Sequence, residues 1–171
     1  NHTMDAGREG VISTRKIARE LGCMAFGAGL NEVEASEPVY LQEAGGITKL
    51  YHATVFGTPE ADEGIIDAPI RRRPLPSLLR YISPEGKPSA TEFWVQQRRK
   101  DAGLLSLRPI TGRTHQLRLH CSHKGFPILG DPQYGSEESQ TLSMRLGYTH
   151  QRLCAKSVTF IHPITEEKLT I

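Results

Sequence analysis

Apolar and polar positions alternate along Thr48-Lys49-Leu50-Tyr51-His52-Ala53-Thr54-Val55-Phe56-Gly57, which predicts a strand. The alternation puts Lys49, Tyr51, Ala53 and Val55 on one face and Leu50, His52, Thr54 and Phe56 on the other. Ala90 to Gln97 and Gly103 to Arg108 read as a pair of strands, joined by the charged connection Arg98 to Ala102. Leu153 to Ile161 predicts a further strand ending at His162-Pro163, with Lys168 to Ile171 as its partner. Helical spacing is rarer. Ile17 and Leu21 lie four apart, and Ser13 or Thr14 can cap a helix from about Arg15 to Cys23. A second helix is predicted from about Thr114 to Ser122, stopped near Gly125, a residue type that suits a left-handed helix end. Gly27 to Gly46 reads as irregular. The stretch from Pro69 to Pro88, with Pro74, Pro76 and Pro84 between, carries loop chemistry, and Ser83-Pro84-Glu85-Gly86-Lys87 is a predicted turn. Ser136 to Tyr148 is polar and fits no template. There is no internal repeat. Strands joined by short turns, with few helices, predict an α+β fold: a mainly antiparallel mixed sheet flanked by helices.

Composition narrows the class. A chain of 171 residues that is 37% hydrophobic can bury a core within a single domain. Lys and Arg number 21 against 19 Asp and Glu, so the net charge of +2 neither demands nor excludes nucleic acid. Basic charge is concentrated in mid-chain, at Arg71-Arg72-Arg73, Arg80 and Arg98-Arg99-Lys100; alone, such a run equally fits a solvated face. Cys23, Cys121 and Cys154 are odd in number and irregular in spacing, which predicts no disulfide framework and an intracellular, reducing compartment. No apolar run approaches membrane-spanning length, so no membrane partner is expected. Residue 1 is Asn rather than Met, and the chain is expected to be N-terminally incomplete.

The richest chemistry lies in Thr111-Gly112-Arg113-Thr114-His115-Gln116-Leu117-Arg118-Leu119-His120. A Gly turn presents an arginine, and donors crowd at a helix start, where unpaired N–H groups and the helix dipole favour an anion. That anion is either a nucleic-acid phosphate or a carboxylate held bidentately by Arg113. Asp5 and Asp131 are candidate carboxylates; Asp131, in Gly130-Asp131-Pro132, reads better as a turn or capping residue. His115, His120, His123 and Cys121 match no tetrahedral zinc spacing, and Cys121, four after Leu117, reads as core. There is no Gly-x-Ser-x-Gly elbow, no phosphate loop and no Gly-x-Gly-x-x-Gly, so neither a serine hydrolase nor a nucleotide cofactor is supported.

Taken together, these residues resemble the RluA-type pseudouridine synthases. Thr111 to His120, Gly125-Phe126-Pro127-Ile128-Leu129-Gly130-Asp131 and Tyr134-Gly135 are similar to the signature of that family. So are the strand Lys49-x-Tyr51-x-Ala53-x-Val55-x-Gly57 and the segment Gly86-Lys87-x-x-Ala90-Thr91. Leu153-Cys154-Ala155 and Phe160-Ile161-His162-Pro163 resemble the family's ending, with Cys154 where it has His. The family's catalytic motif, His-Arg-Leu-Asp-x-x-Thr-Ser-Gly, aligns with His2-Thr3-Met4-Asp5-Ala6-Gly7-Arg8-Glu9-Gly10. His2, Asp5 and Gly10 fall in register, while Thr3, Arg8 and Glu9 depart from it.

The resemblance implies the pseudouridine synthase catalytic fold over residues 1–171, with upstream strands lying outside this chain. It implies an isomerase that converts a specific uridine to pseudouridine in structured RNA, ribosomal or transfer, after flipping the nucleotide out. Asp5, Tyr51 and Arg113 are then the catalytic residues: Arg113 pairs with Asp5 and keeps it ionised, and Tyr51 faces the uracil. Lys49, Arg71, Arg72, Arg73, Thr114, His115, Gln116 and Leu153 are expected to bind RNA, Leu153 as a wall of the pocket. No metal or organic cofactor is implied, and a monomer is expected. The departures at Thr3, Arg8 and Glu9 keep a second reading open, a catalytically inactive RNA-binding protein of the same fold. A hydrolase acting on another substrate class is a distant third.

Overall fold

The structure, a computed structural model, describes residues 47–162 and 164–171. The Arg15 to Cys23 helix, the irregular Gly27 to Gly46 stretch and the Asp5 motif therefore lie outside the described residues. The chain forms two compact units, Lys49–Val158 and a second whose described part comprises residues 47–48 and Thr159–Ile171.

The first unit is built on a sheet ordered β2-β5-β6-β1-β7. Its strands are β1 (Ile47–Phe56), β2 (Glu63–Asp67), β5 (Ala90–Arg98), β6 (Ala102–Pro109) and the start of β7 (Leu153–Ile161). β5 and β6 form a hairpin in the expected place, Thr91 opposite Pro109 and Val95 opposite Leu105, with a register shift between Val95 and Gln97. β1 runs antiparallel to β6, Tyr51 opposite Leu107 and Phe56 opposite Ala102. On the other side of β1, Thr54 N–H donates to Arg152 O at 2.9 Å, and Thr54 O accepts from Leu129 N–H at 2.9 Å.

The alternation of β1 sorts its faces as predicted: Ala53 and Val55 are fully buried. They meet Ile66 of β2, Phe93 of β5, and Leu105 and Leu107 of β6. Helix α1 (Gln116–His123) lays Leu117 and Cys121, one turn apart, onto this core. Phe93 and Phe126 pack tilted, centroids 5.9 Å apart. Cys121 is fully buried, and burial pushes its thiol up to about 12, so it behaves as core. Gly125, at φ 83, follows the helix in the left-handed conformation expected of its end.

Three segments differ from the sequence expectation. β2 was not anticipated: its two isoleucines are adjacent, so Ile66 is buried while Ile65 faces solvent, and no alternation is visible over so short a run. The proline-rich stretch is not all loop, since β3 (Ile70–Arg72) and β4 (Arg80–Ile82) pair antiparallel with Arg71 opposite Tyr81. The prolines flank these strands instead of interrupting them, so no ladder donor is lost. The predicted turn is there, Gly86 N–H donating to Ser83 O at 2.8 Å. The polar Ser136 to Tyr148 segment holds helix α2 (Glu137–Arg145), whose first turn is capped by the Ser136 hydroxyl accepting from Ser139 N–H.

In the second unit, the end of β7 pairs antiparallel with β8 (Lys168–Thr170), Thr159 opposite Thr170 and Ile161 opposite Lys168, as the sequence predicted. His162 N–H closes the connection by donating to Glu167 O at 2.8 Å.

Candidate active site

The loop carrying Arg113 leaves the end of β6 and enters α1, and one buried side chain holds it. Gln116 is 4% exposed and uses its whole amide inside the protein. Its Oε1 accepts from Thr111 Oγ1 at 2.8 Å and from Arg113 N–H at 2.9 Å. Its Nε2 donates to Ala90 O at 2.9 Å and to Thr91 Oγ1 at 3.0 Å. Thr111 Oγ1 also accepts from Ala90 N–H at 3.1 Å. The Thr111–Arg113 turn is thus bound to the start of β5 largely through side chains, with the Thr111 backbone N–H also donating to Ala90 O at 3.4 Å. Arg113 Nε donates to Pro88 O at 3.2 Å, which turns the guanidinium along the segment preceding β5.

His115 is the second fixed point. It caps α1 with φ 57, a left-handed conformation that few residues other than glycine adopt and that His, Asn and Asp tolerate best. The regular helix consequently begins at Gln116, not at Thr114 as the pattern predicted. Thr114 is exposed on the turn between Arg113 and His115. His115 Nδ1 lies 2.9 Å from the Tyr134 hydroxyl, with the rings edge to face, and that hydroxyl accepts from the backbone N–H of Arg80 in β4 at 3.0 Å. Burial lowers the His115 pKa, assisted by the charges of Arg118 and Arg80. The ring is therefore uncharged at neutral pH.

Arg118, one turn into α1, forks onto Asp131 with two bonds of 2.7 Å, and its guanidinium lies 4.9 Å from the Tyr134 ring centroid. Asp131 also accepts from the N–H groups of Gln133 at 2.9 Å and Tyr134 at 3.1 Å. Burial alone would raise its carboxyl pKa; the bonds from Arg118, Gln133 and Tyr134 outweigh burial and hold it below the ordinary value. Asp131 is the turn residue its sequence context predicts, and as a carboxylate it belongs to Arg118. The Asp131 alternative for Arg113 is thereby removed. Arg118 and the Tyr134 hydroxyl were not singled out as interacting groups, because Arg118 is 13 positions from Asp131 and Tyr134 is 54 from Arg80.

Tyr51 and Leu153 both pack, partly buried, against the hydrophobic cluster. Burial raises the Tyr51 pKa above its ordinary value, so its phenol keeps its proton. Lys49 is half-buried on β1, two residues along the same face. In β3 and just beyond, Arg71 pairs with Glu85, Arg72 is half-buried and Arg73 lies over Tyr81 at 5.9 Å. The histidine cluster disperses: His120 is buried between Thr91 and Ala68, whereas His115 faces Tyr134. Among the described residues, no group of three or more His, Cys, Asp or Glu gathers around a cation-sized point. Among them, too, no helix is long and apolar enough to cross a membrane.

Arg113 is thus fixed at the entry to α1 by Gln116, and Tyr51 is a partly buried, protonated phenol on β1. Residues 22–123 match the family model described as RNA pseudouridylate synthase, and the chain belongs to that family, within its RluA-type branch. The ribosomal large subunit pseudouridine synthase C of Vibrio cholerae is 35% identical over 125 residues, covering 73% of this chain and 39% of that protein. An uncharacterized RNA pseudouridine synthase of Chloroflexus aurantiacus is 39% identical over 122 residues, 71% of this chain and 37% of that one. Among solved structures, human RNA pseudouridylate synthase domain containing 1 superposes with a TM-score of 0.66 at 27% identity, over 83% of this chain and 60% of that chain. The chain thus spans about two fifths of the length of the curated relatives it matches.

Proposed function

We propose that the chain acts as an RNA pseudouridine synthase, with Asp5 as its catalytic carboxylate and Arg113 as the partner that keeps Asp5 ionised. The observation that carries this reading is the Arg113 loop. A buried glutamine pins it to β5, and it follows the family's Thr-Gly-Arg-Thr-His-Gln order letter for letter. In the reaction the N-glycosidic bond of a uridine breaks, the uracil turns, and a bond forms between the sugar and carbon 5 of the base. The carbon-5 proton is then released. A flipped nucleotide is required, since the reacting atoms are inaccessible in a stacked helix. Tyr51 stays protonated and lies against the uracil, and Leu153 walls the pocket. Lys49, Arg71, Arg72 and Arg73 meet RNA phosphates, with Thr114 and His115 alongside. Gln116 serves that surface indirectly, through Arg113. The Vibrio relative's name specifies the large ribosomal subunit, which makes ribosomal RNA the first substrate to try.

Release of tritium from carbon-5-labelled uridine RNA tests the reading. Wild type releases tritium, and Asp5→Asn and Arg113→Ala do not. Equal release by wild type and Asp5→Asn overturns the role of Asp5. The residues Thr3, Arg8 and Glu9, which depart from the family's catalytic motif, favour one specific rival, an RNA-binding protein without isomerase activity. RNA binding with no tritium release by wild type establishes that rival.

A further inference from the structure

The hydrogen bonds around Tyr134 favour one proton arrangement for its neighbour His115. The Arg80 backbone N–H donates to the Tyr134 oxygen at 3.0 Å. The phenol's own proton then has one acceptor among the described residues, His115 Nδ1 at 2.9 Å. With Nδ1 accepting, the imidazole carries its proton on Nε2, and among the described residues Nε2 has no protein partner. The ring's orientation is fixed three ways: by the left-handed backbone at φ 57, by the edge-to-face contact with Tyr134, and by the bond itself. The charged groups facing the imidazole are Arg118 and Arg80, with Asp131 as the counter-charge already engaged by Arg118. The surround is electropositive, the ring itself is neutral, and a donor is pointed away from the protein's own bonds.

We infer that Tyr134 is a positioning residue that locks His115 as the Nε2–H tautomer, so that His115 offers one uncharged hydrogen-bond donor to a phosphate oxygen of bound RNA. This rests on the RNA reading above. It also makes the β3–β4 pair part of the same device, because the lock requires the Arg80 N–H to occupy the phenol oxygen. A cationic contact releases counterions and steepens the salt dependence of binding, and a neutral donor does not. The His115 contact therefore contributes affinity without contributing to the salt slope, unlike the arginines of β3.

Two measurements on the full chain test this. In the RNA-free protein, long-range 15N–1H correlation of the His115 ring shows the Nε2–H pattern, and Tyr134→Phe yields a mixture of tautomers. A dominant Nδ1–H form in wild type, or an unaltered pattern in Tyr134→Phe, overturns the lock. The second measurement is binding of a structured ribosomal RNA fragment over a salt series. His115→Asn tolerates the left-handed backbone and keeps a group facing Tyr134 but lacks the outer donor, so it binds roughly threefold to tenfold more weakly with the salt slope unchanged. Arg71→Ala, the control, lowers the slope by about one. A reduced slope in His115→Asn overturns the neutral-donor role. Unchanged affinity in His115→Asn alongside weakened binding by Arg71→Ala overturns the His115 contact while leaving the RNA reading intact. If wild type binds no RNA, the RNA reading fails and takes the phosphate contact with it, and the ring spectrum alone then decides the tautomer lock.

Discussion

Replacing Asp131 by Ala probes the framework behind the site. The Asp131 side chain is 1% exposed and that of Arg118 12%, so the pair is nearly dry. Asp131→Ala removes two charge-assisted bonds of 2.7 Å and the acceptor for the N–H groups of Gln133 and Tyr134. It leaves the Arg118 cation without a counter-charge. Breaking one half of a buried pair costs about 3–5 kcal/mol. Arg118 keeps the Gln133 Oε1 contact at 2.8 Å and the Tyr134 ring, which places the expected loss near the lower end of that range, about 3 kcal/mol. At roughly 2–4 °C per kcal/mol for a chain of this size, Tm falls by about 6–12 °C. Urea unfolding followed by circular dichroism measures the loss directly from the midpoint. Asp131→Asn retains the acceptor for the two backbone N–H groups and loses less. The folded carboxyl pKa lies below the ordinary value, so the pair's contribution is present above about pH 4 and is lost as pH falls through the folded value. The gap between wild type and Asp131→Ala accordingly narrows in acid. A loss under about 1 kcal/mol at pH 7 would refute the reasoning, since that is the size of an exposed pair.

Four further outcomes are expected. Gly130→Ala destabilises by about 2 kcal/mol or more in the same urea assay, because Gly130 sits at φ 74 and a Cβ there would meet His150 O at 2.1 Å; an unchanged midpoint contradicts this. Gln116→Leu leaves Arg113 N–H and Thr111 Oγ1 without their glutamine acceptor and costs about 2–4 kcal/mol in the same assay. Burial lowers the His120 pKa, so the unfolded chain takes up its proton first as pH falls; stability is full above about 6.5 and declines below it. A His120→Gln variant that keeps the wild-type slope between pH 7 and 5 contradicts that assignment. A maleimide at pH 7.5 labels the exposed Cys154 and spares the buried Cys121, and peptide mass spectrometry reads both.

What could be read from the chain follows from what is local. β1, β5 and β6 repeat every second residue over eight or more positions, and turn residues bound them, so alternation alone finds them. β3 and β4 are three residues each and exist through their pairing with one another, a contact across the proline-rich loop that composition reports as disorder of pattern. α2 buries Leu142 and two serines, too little apolar surface to show a helical stripe, although Ser136 followed by Glu137 and Glu138 is a start signal visible in the sequence. At the site, the Arg113 loop was legible as a turn into a helix from its motif. The hold on His115 was not: it needs Tyr134 and Arg80, which are 54 positions apart and meet through one hydroxyl.

The ten-residue motif has two jobs, and the structure separates them. Gln116 and His120 lie one helical turn apart and both face inward. Gln116 Nε2 donates to Thr91 Oγ1, which is 2.9 Å from His120 Nδ1; His120 Nε2 donates to Ala68 O at 3.0 Å. This polar relay ties the Arg113 loop to β5 and to the segment after β2. Leu117 and Leu119 are core, and Arg118 belongs to Asp131. Most of the motif's letters therefore encode scaffolding, and Arg113, Thr114 and the outer nitrogen of His115 remain for chemistry. An intact motif is consequently evidence that the loop is built, which either an active isomerase or an inactive RNA-binding relative would retain. Tritium release by wild type therefore decides between them, and Asp5→Asn, which replaces the proposed carboxylate by a neutral amide, tests whether that release depends on Asp5.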